Sequence, residues 1–230
     1  MAIQRLKTRV IGPHRLLALT DGVYAIVMTI LVLELNVPIV METAINKELS
    51  HGLLEMWPEF LIYGLSFFVL GVFWLMHHFI FDSIEQYDPA LIWINIFFLM
   101  CTGLIPFSTA LFGMYGAEQV TALVYGSNMF LGFVGLWALW LYATGKHRLV
   151  VADLDQDLIK GGSMMAIIYI VTILIALGIA FVNPIISFLL YFLIVVAVII
   201  FAAIGKWEYI VTVPLNTTTE GLTTQKENKK

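Results

Sequence analysis

RLLALTDGVYAIVMTILVLEL, residues 15–35, is a mostly apolar run that carries an arginine, an aspartate and a glutamate. About 20 apolar residues are enough for an α-helix to cross the hydrocarbon core of a bilayer, so the run reads as a transmembrane helix. Ionisable groups inside such a helix are costly and usually face the protein interior or water. The charges of this stretch therefore require partners from elsewhere in the chain. Arg5, Lys7 and Arg9 just before it suggest the start of a signal peptide. The apolar run is too long for that, however, and no small-residue cleavage site follows it.

The whole composition points the same way. Of 230 residues, 60% are hydrophobic and 12% charged, and the mean hydropathy is +0.93. Soluble domains are about half apolar and a quarter charged, so this is a membrane protein. The net charge of -4 is mild, and no basic block supports nucleic-acid binding. Cys101 is the single cysteine, which excludes an internal disulfide.

Six windows are long and apolar enough to span: roughly 16–37, 56–80, 90–112, 120–143, 163–182 and 185–205. The expected fold is an all-α membrane protein with six transmembrane helices per chain. Pro38, Asp88-Pro89, Gly113 to Gly116 and Asn183-Pro184 mark the breaks. Residues 1–211 form the expected transmembrane domain, and 212–230, rich in Thr, Asn and Lys, an expected disordered cytoplasmic tail. Basic residues orient the spans. With the N-terminus inside, Arg5, Lys7, Arg9, Arg15, Lys146, Arg148, Lys160, Lys206, Lys226, Lys229 and Lys230 fall inside, and Lys47 alone outside. Both termini are therefore expected in the cytoplasm.

This topology gathers polar groups in one leaflet. Arg15 and Asp21 lie at the inner end of the first helix, His77 and His78 at the inner end of the second, and Asn95 near the inner end of the third. Arg15 and Asp21 are about 120° apart on a helix, so each needs partners from other helices. Two readings stand: a structural network pinning three helices together, or a proton relay or ion site. Ile26, Ile30 and Leu33 form an apolar stripe at helical spacing, with Thr29 about 60° away. Such a stripe usually faces the core or lipid. Glu34 lies near the outer end, as an interfacial residue or part of a cation-attracting ring.

Other motifs are weak. Asp153-Leu154-Asp155-Gln156-Asp157 starts like a calcium loop, but Leu158 and Met164 stand where that loop needs glycine and glutamate. His78 and Asp82 are four apart, and two ligands do not make a metal site. No zinc-protease or serine-hydrolase motif occurs, and no TVGYG-type potassium filter. No metal, cofactor or catalytic residue is expected.

Arg15-Leu16-Leu17-Ala18-Leu19-Thr20-Asp21 resembles the R-x-x-x-F-S-D signature of the transmembrane protein 175 family, the lysosomal potassium channel and its prokaryotic relatives. GVYAIVMTILVLEL after it, WLMHHFIF in the second helix and LIWINIFFLMCTGLIPFSTALFG in the third resemble the same family. Leu19 and Thr20 replace the signature's phenylalanine and serine; Thr20 keeps the hydroxyl and Leu19 the bulk.

The resemblance implies a homotetramer of six-helix chains in which the first helix lines a central pore. It places the constriction at Ile26, Ile30 and Leu33 and a hydroxyl layer at Thr29. Passive permeation of monovalent cations, potassium over sodium, is the implied activity, with potassium as the permeant ion and no enzyme chemistry. Arg15 and Asp21 would orient the first helix, with His77 and Asn95 as partners and His77 preferred to His78. Gly132 and Gly135 would allow close helix approach. The implied location is the plasma membrane of a prokaryote, with the lipid bilayer and a second copy of the chain as partners. The alternative is a proton-coupled secondary transporter using Asp21 and the His77/His78 pair. Inverted repeats, which many transporters show, are not evident here, and Pro106 is the one break inside a span.

Overall fold

The computed structural model describes residues 13–38 and 45–201. The basic residues before Pro13, those from Lys206 onward and the 212–230 tail lie outside them. Among the described residues eight α-helices follow one another: α1 Pro13–Ile30, α2 Ile45–Glu55, α3 Trp57–Asp82, α4 Pro89–Gly103, α5 Ile105–Tyr115, α6 Gln119–Thr144, α7 Gln156–Ala180 and α8 Pro184–Phe201. A 3₁₀ turn, Leu31–Glu34, extends α1, and Leu35 is already extended. The described residues up to Val196 belong to one compact unit. The described part of a second unit, 197–201, is the last turn of α8.

Among the described residues five stretches are long and apolar enough to cross a membrane: Arg15–Glu34, Trp57–Asp82, Pro89–Tyr115, Gln119–His147 and Gln156–Ala180. The apolar helix Pro184–Ile200 is shorter in its described part, and the expected end of the sixth span, 202–205, lies outside the described residues. The chain is a multi-pass membrane protein.

Three boundaries differ from the sequence expectation. The third span is two helices, α4 and α5, broken at Leu104. Pro106 has no N–H to continue the ladder, and Leu104 N–H turns back to the Cys101 and Thr102 carbonyls. The fifth span starts at Gln156 rather than 163, where the Asp155 carboxylate accepts the Asp157 N–H at 3.0 Å and caps the helix. The segment after the first span carries α2, amphipathic and too polar to span.

Helix α6 is the hub: it packs on α3, α4, α5 and α7. Its glycines explain the close approach. A Cβ on Gly132 would lie 2.4 Å from Phe73 Cε2, and one on Gly135 would lie 3.2 Å from Phe98 Cβ. Phe73 and Phe133 meet edge-to-face at 4.8 Å, and Phe73 and Phe98 lie 6.0 Å apart, which fills the middle of the bundle.

The loops α3–α4 and α6–α7 clasp each other. Ile84 and Val150 pair as an antiparallel bridge. The Glu85 and Gln86 N–H groups donate to Leu149 O at 2.8 and 3.1 Å, and Val151 N–H donates to Ser83 O at 3.1 Å. Asp88 caps α4 by accepting the Leu91 N–H at 2.9 Å. Its other oxygen accepts from Tyr142 Oη at 2.6 Å and from Arg148 at 2.7 Å. These two loops therefore lie at the same end of the bundle.

Candidate functional site

Helix α1 has two unlike faces. Leu16, Thr20, Tyr24, Val27 and Leu31 are buried against α3, α4 and α5. Arg15, Leu19, Gly22, Ile26, Thr29 and Leu33 are exposed, and they recur at alternating steps of four and three. A period of 3.5 residues is the seam of helices that coil around one another. Ile26 is 60% exposed, Leu33 76% and Ile30 38%, so the apolar stripe is not part of this chain's own core. The Thr29 hydroxyl lies 2.8 Å from both the Ala25 and Ile26 carbonyls. Its proton is thereby committed to the backbone, and its lone pairs remain free. Glu34 is half-buried at the end of the 3₁₀ turn.

The signature residues divide between the two faces. Thr20 is fully buried and donates its hydroxyl proton to Leu16 O at 3.1 Å. Its oxygen therefore accepts from Asn95 Nδ2, 3.3 Å away. That turns Asn95 Oδ1 toward His77 Nε2 at 2.8 Å, so the network assigns the His77 proton to Nε2. The His77 ring, also fully buried, is stacked 4.1 Å from Phe81 and 5.6 Å from Phe98, and its Nδ1 has no partner among the described residues. One hydrogen-bonded line thus ties α3 to α4 and α4 to α1.

Asp21 faces the other way, with its side chain 51% exposed. Trp74 Nε1–H donates to Asp21 Oδ1 at 3.0 Å, and His78 Nε2 lies 3.6 Å from the same oxygen. His78 Nδ1–H donates to the Trp74 carbonyl at 3.1 Å, and the two rings lie 4.0 Å apart. His78 therefore presents Nε2 to Asp21, and it forms an ion pair when that nitrogen is protonated. Arg15 is exposed and has no ion-pair partner among the described residues.

The two histidines thus do different things: His77 pairs with Asn95, and His78 pairs with Asp21. Sequence reasoning passed over Trp74. Its signal was the spacing, since Trp74 and His78 are four apart and share one helix face. Among the described residues no three His, Cys, Asp or Glu side chains converge as metal ligands. The arrangement can position a helix and carry charge.

Comparisons with known proteins agree on a single family. The family model for the endosomal/lysosomal potassium channel TMEM175 matches residues 15–106. A potassium channel from Streptomyces collinus is 33% identical over 145 residues, covering 61% of this chain and 69% of the relative. A potassium channel from Chamaesiphon minutus is 36% identical over 148 residues, covering 62% of this chain and 71% of the relative. The crystal structure of a lysosomal potassium-selective channel TMEM175 homologue from Chamaesiphon minutus superposes with a TM-score of 0.71 at 26% identity. The match covers 82% of this chain and 96% of that one.

Proposed function

Because the chain belongs to the TMEM175 family, we propose that it is a potassium-permeable cation channel, a homotetramer with α1 lining the central pore. The observation that carries the reading is the uncovered face of α1. That face holds Asp21 about two turns inside a membrane-spanning helix, and the Thr29 hydroxyl lies further along it. A half-exposed carboxylate does not face hydrocarbon; it faces water or another protein surface. Closed rotational symmetry supplies both, since each exposed residue of α1 becomes a ring.

Rings of Ile26, Ile30 and Leu33 form a constriction that excludes water when narrow and so acts as a hydrophobic gate. A ring of Thr29, its protons held by backbone carbonyls, offers oxygen lone pairs to a partly dehydrated cation. Preference for potassium over sodium follows from dehydration, because the smaller ion holds its water more tightly. The buried line Thr20–Asn95–His77 and the outward pair Asp21–His78 fix the angle at which α1 stands. Both termini are cytoplasmic in this reading, in the plasma membrane of a prokaryote. The asymmetry of the basic residues supports that orientation.

The test is potassium flux into liposomes holding the purified protein, with Ile30→Asn beside wild type. A polar ring in the constriction wets it, so the variant is expected to leak potassium faster. Equal flux in both would remove Ile30 from the pore. A second reading, proton-coupled transport, rests on the 3.6 Å approach of His78 to Asp21. Flux that appears only under an imposed proton gradient would favour it.

A further inference from the structure

We propose that the Asp88–Tyr142–Arg148 cluster is a positioning device for the pore helix, acting on α1 through α4. The inference rests on the channel reading given above. Asp88 joins two structures with one carboxylate. Oδ1 caps α4, and Oδ2 takes hydrogen bonds from Tyr142 at the end of α6 and from Arg148 in the loop beyond it. Arg148 lies 5.0 Å from the centre of the Tyr142 ring and also donates to its hydroxyl, so all three groups hold one another. Burial would raise the Asp88 carboxyl, but the Tyr142, Leu91 and Arg148 contacts outweigh it and hold it below the usual carboxylate range. The carboxylate is therefore charged at neutral pH. Charge-assisted hydrogen bonds of this kind are stronger and geometrically stricter than neutral ones.

The cluster lies two helical turns from Asn95, about 10 Å along α4 at 1.5 Å per residue. Asn95 is the residue that grips Thr20 on α1. Clamping the start of α4 to the end of α6 therefore fixes the level at which Asn95 meets α1. The bridge Ile84–Val150 joins the same two loops. Loosening the clamp lets α4 slide or tilt against α6 and carries Thr20 with it, which rotates the exposed seam of α1.

Two substitutions loosen the clamp while leaving the α4 cap in place: Arg148→Gln and Asp88→Asn, since asparagine also caps helices well. Each is expected to change potassium flux by about threefold or more, a common size for long-range coupling. Tetramer assembly and the unfolding temperature should stay near wild type, and Arg148→Lys should restore most of the flux. The decisive arm is a double-mutant cycle. In a Thr20→Val background, where the link to α1 is cut, Arg148→Gln should have little further effect on flux. Additive effects would overturn the proposal, as would a fall in flux that tracks a fall in unfolding temperature. Hydrogen exchange of α1 amides gives a readout independent of conduction. Arg148→Gln should raise exchange at Asp21 to Ile26 even if wild type passes no potassium, and unchanged exchange would sink the coupling by itself.

Discussion

Thr20 shows how one hydroxyl can decide the chemistry of its neighbours. Its single proton goes to Leu16 O, which forces Asn95 to donate to it and His77 to donate to Asn95. Removing the middle member has the largest consequence. Asn95→Leu leaves the buried His77 Nε2–H without an acceptor, and an unmade buried hydrogen bond costs about 1–3 kcal/mol. The variant is expected to unfold at a clearly lower temperature in detergent, whereas Thr20→Ser, which keeps the hydroxyl, should stay close to wild type. An Asn95→Leu protein as stable as wild type would mean that the line does not hold the helices. Much of this site could be read in the sequence, because polar residues are conspicuous in an apolar span. The choice between His77 and His78 could not be read. Adjacent helical residues point about 100° apart, and only the packing of α3 says which one meets Asn95. Both turned out to have partners, one buried and one on the surface.

Among the elements, α6 is the one whose sequence looks least informative. It is almost uniformly apolar, and its glycines look like weak points in a helix. They are where the large rings fit. At Gly132 a β-carbon would lie 2.4 Å from Phe73, inside any van der Waals contact. Gly132→Val should therefore force Phe73 out of place and destabilise the bundle by about 1–3 kcal/mol or more, as overpacking does. A change at Gly178, whose added β-carbon meets nothing within 4 Å, should be mild by comparison, read as thermal unfolding of the two variants side by side. The elements that escaped the sequence reading share one cause. Hydropathy windows register apolar length and are blind to hydrogen bonding. They therefore merged α4 and α5 across Pro106, dropped the polar first turns of α7, and passed over α2. The local signals were present: a proline in mid-span, Asp155 as a cap, and Ile45, Leu49 and Leu53 four residues apart.

For the whole molecule, five of the six expected apolar spans stand among the described residues, and they were legible because a bilayer imposes its thickness on every crossing helix. Assembly was not legible. A single chain records only which faces it leaves uncovered, and in a membrane an uncovered apolar face is the ordinary state of a lipid-facing helix. The uncovered face of α1 is mixed, carrying Arg15, Asp21 and Thr29 together with isoleucine and leucine. If that face surrounds an axis, a cysteine at Leu33 should approach its symmetry mates closely enough to oxidise to a disulfide, which needs β-carbons about 4 Å apart. Leu33→Cys is expected to give covalent dimers under mild oxidant. Leu174→Cys on α7, a site 48% exposed, should not. Dimers from both positions, or from neither, would count against α1 as the central helix.

The line from α1 to α4 also sets a schedule for synthesis. Thr20 and Asn95 are separated by 75 positions, and Asp21 and Trp74 by 53. At a translation rate of 5–20 residues per second, the first helix waits about 4–15 seconds for Asn95 to be made, and somewhat less for Trp74. During that interval it must sit at the insertion machinery or the membrane interface with Asp21 lacking its later partners. The newborn chain is thus most exposed to quality-control proteases before its third span emerges. Substitutions that add further polarity to α1 should act first on how much protein accumulates, ahead of any effect on the finished molecule.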